Sequence, residues 1–218
     1  MGNLLFAQDY IVDERFDPDE YEASDSIYPD NFRVKECWGL NTNLGEDDEL
    51  ISVWGSNLFA IAFKYDRVLF KGAHWNIGGG YQSDNYKFKN RSDMMLHDSI
   101  GHEKVKLRVH SITFESGFRF QTSPNLFEAV FFEVSGYANV NTFTKYSTWD
   151  EKDGMDLRSQ TKKLNYVNPY NYGVEAKLGI SVISIFAKYR LSDVFTKESG
   201  YRELPRLSVG LAFEVGAN

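Results

Sequence analysis

Apolar and polar residues alternate with a period of two along much of this chain. In RLSVGLAFEV, residues 206–215, Leu207, Val209, Leu211, Phe213 and Val215 are separated by Ser208, Gly210, Ala212 and Glu214. Successive side chains of a strand point to opposite faces, so this stretch predicts a β-strand with one oily face. Seven further stretches read the same way. In CWGLNTNL, Trp38, Leu40, Thr42 and Leu44 share a face. Phe59, Ile61, Phe63 and Tyr65 oppose Ala60, Ala62 and Lys64, and Trp75, Ile77, Gly79 and Tyr81 oppose Asn76, Gly78, Gly80 and Gln82. Ile112, Phe114, Ser116, Phe118 and Phe120 oppose Thr113, Glu115, Gly117 and Arg119. Phe132, Val134, Gly136, Ala138 and Val140 oppose Glu133, Ser135, Tyr137 and Asn139. Tyr172, Val174, Ala176, Leu178 and Ile180 oppose Asn171, Gly173, Glu175, Lys177 and Gly179. Ile183, Ile185, Ala187, Tyr189 and Leu191 oppose Ser184, Phe186, Lys188 and Arg190.

Eight such strands, with no amphipathic helix between them, predict an antiparallel meander. Eight is also the smallest common closed barrel. The expected joins alternate in length. They are short around DRVLF (66–70), QTSPN (121–125) and residues 180–181, and long over 90–103, 148–168 and 192–204. Short turns at one end and long loops at the other are the habit of membrane barrels. No run approaches the ~18–20 apolar residues of a membrane-spanning helix, so a membrane reading must use strands.

The polar faces decide which way the oily faces point. They carry small residues, such as Gly78, Gly80, Gly117, Ala60, Ala62 and Ser135, together with nine charges. Lys64, Arg119, Lys177, Lys188 and Arg190 are matched by Glu115, Glu133, Glu175 and Glu214. A solvated face has no need of near-matched signs. A narrow polar interior does, because a buried charge left alone is very costly. The expectation is an all-β fold: an eight-stranded antiparallel up-and-down transmembrane β-barrel over residues 33–218, oily face outward. Glu214 then needs a basic partner, with Lys188 or Arg190 on the preceding strand as first candidates. Phe186, Tyr137 and the long charged chains should fill the interior and leave no open pore. The rival is a soluble lipocalin-like binder of a hydrophobic ligand, oily inside and wet outside.

Composition sharpens this. Aromatics make up 16% of the 218 residues, with 17 Phe and 13 Tyr, as strands and interfacial girdles use them. The net charge is −7. Nine acids and one base, Arg15, lie between Asp9 and Asp30; removing them from 31 acids and 24 bases leaves 22 against 23. The acidity therefore belongs to residues 9–31, expected as a disordered arm with Phe16, Tyr21 and Tyr28 as possible anchors. Without a basic excess, general nucleic-acid binding is not expected. LLFAQ, residues 4–8, resembles the end of a signal peptide, so residues 1–32 are expected to be a signal remnant followed by the acidic arm. Cys37 is the single cysteine, which excludes an internal disulfide.

Candidate chemistry is sparse. His97, Asp98, His102 and Glu103 could meet a metal, but their spacing fits no strong motif and a solvated loop is the expectation. His110, Ser111 and His74 are candidates for a lipid-modifying site at the rim, without a triad or nucleophile-elbow signature. WNIGGGY lacks the following helix of a phosphate cradle. The mixed-charge segment 144–163 is expected as a mobile outer loop. No catalytic, cofactor or metal residues are assigned.

One resemblance extends these readings. The cadence NPYNYGVEAKLGI, then YRLSDVF, then ELPRLSVGLAF resembles the PorT-like outer-membrane β-barrel proteins of Bacteroidota, and NYKFKN and KVKLRVHSITF fit the same pattern. The likeness covers about residues 33–215. It implies a multi-pass outer-membrane barrel with both termini periplasmic, surrounded by outer-membrane lipid and inserted by the barrel-assembly machinery. Ser208, Gly210, Phe213 and Val215 resemble that machinery's last-strand signal. The chain departs from the pattern by running on through GAN, and by Glu115 where the family tends to have proline. The family's namesake is associated with type IX secretion and gliding, and many of its relatives have no known role. The expected function is a non-enzymatic structural or accessory component of the outer membrane, with a periplasmic or secretion partner on the acidic arm. A lipid-modifying enzyme is the alternative from another class.

Overall fold

A computed structural model describes residues 31–42, 50–89, 104–123, 128–152 and 155–217. The acidic arm, Leu44 and the His97, Asp98, His102 and Glu103 cluster lie outside the described residues. The described residues form nine strands: β1 Asn31–Thr42, β2 Asn57–Phe70, β3 Ala73–Lys87, β4 Lys104–Gln121, β5 Val130–Lys152, β6 Met155–Lys162, β7 Tyr170–Ile180, β8 Ile183–Arg190 and β9 Leu207–Ala217. Among the described residues no helix is long and apolar enough to cross a membrane.

All pairings are antiparallel, and eight strands close on themselves in the order β1-β2-β3-β4-β5-β7-β8-β9. Closure is visible at Val34, which faces Phe63 on β2 and Val215 on β9. A closed ring leaves no unpaired edge among those eight strands. The ninth strand, β6, pairs only with the far half of β5, from Lys145 opposite Lys162 to Lys152 opposite Met155. Within the segment 144–163, expected as a loop, residues 145–152 and 155–162 therefore pair as antiparallel strands that extend the wall. The β6 half is exposed on both faces, so no apolar alternation marks it.

The alternation becomes an inside and an outside. On β7, Asn171, Gly173, Glu175, Lys177 and Gly179 are buried, while Tyr172, Val174, Leu178 and Ile180 are exposed. The other ring strands show the same alternation in part or all of their length, except β3, whose central Gly78, Gly79 and Gly80 are all half-buried. Charges are buried, and large apolar residues such as Phe63 and Ile180, each 66% exposed, face outward. The distribution is the reverse of a water-soluble core.

Connections sort by end. At one end β2 and β3 join through Lys71 and Gly72, and β7 and β8 through Ser181 and Val182. Gly72 at φ 78 and Ser181 at φ 58 supply the left-handed conformation that two-residue hairpin turns need. DRVLF is not a join, because β2 continues through Phe70. The long connections converge at the other end. Leu164, Val194 and Leu204 from them pack with Ile51, Leu107 and Tyr146 in a buried apolar cap.

The interior is close-packed at mid-height. Gly39 lies opposite Gly210, and Gly210 lies opposite Phe186. A Cβ at Gly210 would overlap the Trp38 carbonyl and the Gly39 Cα, and one at Gly39 would press on the Phe186 ring. Gly210→Leu is expected to destabilise by at least ~1–3 kcal/mol, the usual cost of overpacking. Gly136→Ala should be nearly neutral, since a Cβ there meets nothing within 4 Å. Urea unfolding midpoints separate the two.

Candidate functional site

The feature that distinguishes this ring is the set of charges locked inside it. Inward positions of β1, β2, β4, β5, β7, β8 and β9 supply Arg33, Lys35, Lys64, Arg119, Lys177 and Lys188 against Asp66, Glu115, Glu133, Glu175 and Glu214. All eleven are buried.

The short-turn end centres on Glu133 and Glu214, both 0% exposed. Glu214 accepts from Arg33, from Lys177 and from Arg119 Nη1 at 2.6 Å. Glu133 meets Lys64, Lys177 Nζ at 2.8 Å and Arg33 Nη2 at 3.4 Å. Arg33 also holds Asp66, with Nη2 donating to Oδ1 at 2.6 Å. The Arg119 guanidinium lies 3.5 Å from the Phe131 ring centroid, so an aromatic face covers the side it does not bond.

Higher up, Lys35 Nζ bridges Glu115 Oε2 at 2.6 Å and Glu175 Oε1 at 3.0 Å. Lys188 sits 3.8 Å from Glu175 and 3.8 Å from the Tyr137 ring centroid, and donates to Gln82 Oε1 at 2.6 Å. Gln82 in turn donates to Asp84 at 2.7 Å. Beneath the apolar cap, Arg190 Nη2 reaches Glu203 at 2.7 Å and the Leu204 and Pro205 carbonyls at 3.0 and 3.2 Å. A cavity at this level, beside Asp84, Tyr137 and Arg190, measures about 20 Å³. That is room for about one water, not for a passing solute.

The nine charges singled out from sequence thus all face inward. Three members of the network escaped that reading. Arg33 and Lys35 precede the stretch taken as the first strand, and Asp66 lay in the stretch taken as a join. The signal was present as inward Arg33, Lys35 and Cys37 alternating with outward Phe32 and Val34. Outward Glu36 hid it; it is a carboxylate on the oily face, accepting from Trp38 Nε1 at 3.0 Å. The expected partners of Glu214 need correcting. Lys188 faces Ser208, three inward positions along β9, while the Glu214 amide bonds Val182 in the β7–β8 turn. Lys188 and Arg190 are therefore at the wrong height, and Glu214 takes its cations from Arg33 on the neighbouring β1, Lys177 on β7 and Arg119 on β4.

Ser208 and Gly210 are inward on β9, with Ser208 Oγ donating to Asn41 Oδ1 at 2.6 Å; Phe213 and Val215 are outward. His110, Ser111 and His74 do not meet. His110 faces out beside Tyr81, Ser111 faces in, and His74 is inward near the opposite end, opposite Arg119. The glycines of WNIGGGY are strand residues within β3. Cys37 is buried beside Phe186 and Ala212. Among the described residues no group of three or more His, Cys, Asp or Glu could hold a metal ion.

The arrangement is a neutralised plug: each carboxylate of the cluster has at least one cation within ion-pair distance. Removing one charge strands its partners in a site buried from solvent. Glu214→Gln is expected to destabilise by ~3–5 kcal/mol. Asp193→Asn breaks an exposed pair with Arg206 and should cost under ~1 kcal/mol. Urea titrations of both variants measure the difference.

Compared with known proteins, the chain matches no family model and no curated protein.

Proposed function

We propose that this chain is a transmembrane β-barrel of a bacterial outer membrane and acts there as a non-enzymatic structural or accessory component. One observation carries the reading: seven of the eight ring strands bury charges on their inner face, and all eight expose large apolar side chains on the outer one. In water such a belt would far exceed the few hundred Å² of apolar patch a soluble monomer tolerates. In lipid it needs no further partner, and ring closure satisfies the backbone groups of its strands. β7, at 11 residues, has the length of a membrane-crossing strand. Aromatic pairs lie on the same outer face: Phe32 with Tyr65, ring centroids 5.2 Å apart, and Trp38 with Phe59 at 4.9 Å. Such rings suit the two interfaces.

A lipocalin-like binder requires an oily interior and a wet exterior, the opposite arrangement. Among the described residues the candidates for a lipid-modifying site, His110, Ser111 and His74, are not brought together. The resemblance to PorT-like proteins supports a role in type IX secretion or gliding, with periplasmic termini and partners recruited by the acidic arm.

The proposed barrel should fractionate with outer membranes and migrate faster unheated than boiled in detergent gels. Full solubility without detergent would overturn the membrane reading. In planar bilayers no large single-channel conductance is expected, because the lumen is plugged. For the secretion role, crosslinking from native membranes should capture a partner that is lost when residues 9–31 are deleted.

A further inference from the structure

Beyond the charge plug, a second set of cations lies outside the ring, on the outward face of the β3–β4–β5–β6 extension. The register aligns it in rows. Asn85, Arg108, Lys145 and Lys162 are directly opposite one another across four strands. The next row reads Lys87, Lys106, Ser147, Gln160, and the next Lys104, Trp149, Arg158. These rows hold seven cations and no acid. Among the described residues none of the seven forms an ion pair. Arg108 Nε spends a donor on the neutral Asn85 Oδ1 at 2.6 Å. Trp149 sits among three of them, its ring centroid 5.1 Å from Arg158, 5.3 Å from Lys104 and 5.9 Å from Lys106.

Like charges directly opposite on a sheet destabilise it, and here Lys145 is flanked by Arg108 and Lys162, and Lys87 faces Lys106. Desolvation and the neighbouring like charges act in the same direction on two of these ammonium groups. The Lys106 ammonium is held below its ordinary range by partial burial, then by Lys104, Lys87 and Arg108. Lys145 is lowered by desolvation, then by Arg158, Lys162 and Arg108.

The rows also have a definite place. Directly below them His110 and Phe143 pair across β4 and β5, with His110 stacked on Tyr81 at 5.8 Å. Below that lie Tyr81, Ile112, Val140 and Tyr170, all exposed. The cations therefore stand immediately above the edge of the apolar belt, where a headgroup would be if acyl chains cover the belt.

We propose that this face binds the phosphorylated headgroups of lipid in the leaflet at the long-connection end. Arg108 and Lys145 hold phosphate oxygens nearest the belt. Lys87, Lys106 and Lys162 neutralise a second phosphate or sugar acid, and Trp149 stacks on the sugar. The inference rests on the membrane reading, since a free phosphate would gain nothing from the adjoining belt.

The test uses the full chain in neutral maltoside micelles, titrated with bis-phosphorylated lipid A and with the same lipid dephosphorylated. Bound lipid is counted by native mass spectrometry. Wild-type protein should prefer the phosphorylated lipid by at least about tenfold, and inorganic phosphate should not compete at matched concentration. The Arg108→Gln, Lys145→Gln, Arg158→Gln triple variant should lose that preference. Without lipid, its thermal midpoint should rise, because the like-charge rows are relieved. Equal retention of both lipids, or an unchanged preference in the triple variant, would overturn the proposal. So would tighter binding of a short single-stranded DNA than of lipid A, which would mark a general polyanion surface. The three positions are outside the lumen, so heat-modifiable migration should persist in the variant. Loss of that migration in the wild type as well would overturn the barrel reading itself.

Discussion

Glu133 and Glu214 sit where Arg33, Lys64, Arg119 and Lys177 converge, and the ring is built around that convergence. An unpaired ion buried this fully would cost several kcal/mol, while a matched cluster tolerates the same burial. The cations come from β1, β2, β4 and β7 and the two carboxylates from β5 and β9, so satisfying the cluster requires closure. A ring opened between β1 and β9 would separate Arg33 from Glu214 and leave two edges unpaired. Electrostatics and backbone hydrogen bonding thus favour the same closed state.

Filling the lumen with charges commits the oily residues to the outer face, because strand side chains have only two directions. Small residues make the interior fit: Gly39 and Gly210 admit Phe186, and Ala62 lies beneath Gly80. The long connections add a different layer, an apolar cap over the charge plug. From one end to the other the interior passes from ion pairs through a cavity of about 20 Å³ to packed Leu, Val and aromatic side chains. Such a body is suited to holding surfaces in place, not to conducting solute. Among the described residues, its outward cationic rows and the edge of β6 away from β5 are open to other molecules.

Much of this was legible because period-two alternation survives wherever one face is oily and the other polar. The assigned faces of β7, β8 and β9 follow from their residues alone, as do the nine inward charges. Legibility failed where a strand leaves that regime. Glu36 interrupts the outward pattern of β1 and concealed Arg33 and Lys35. Asp66 was hidden because an acidic–basic pair in DRVLF reads as a turn, although the strand runs on to Phe70. MDLRSQTK carries no alternation, because β6 is exposed on both faces. The bulge between His110 and Ser111 leaves no mark in the sequence. Partners across the lumen are a harder case. Lys188 neighbours β9 in the sheet, yet the register sets it opposite Ser208, and Glu214 is satisfied by Arg33 from its other neighbour, β1, and by Arg119 from across the ring.

The central claim is that one face of each ring strand meets lipid while the other meets neither lipid nor bulk water. Spin labels placed singly at residues 174 to 179 of β7, in a Cys37→Ser background reconstituted in phospholipid bilayers, test it by collision accessibility. Labels at Val174, Ala176 and Leu178 should collide with oxygen and not with a water-soluble nickel chelate, and labels at Gly173-side positions Glu175, Lys177 and Gly179 should collide with neither. Nickel accessibility at Val174, Ala176 and Leu178, or the loss of the two-residue period, would contradict the account.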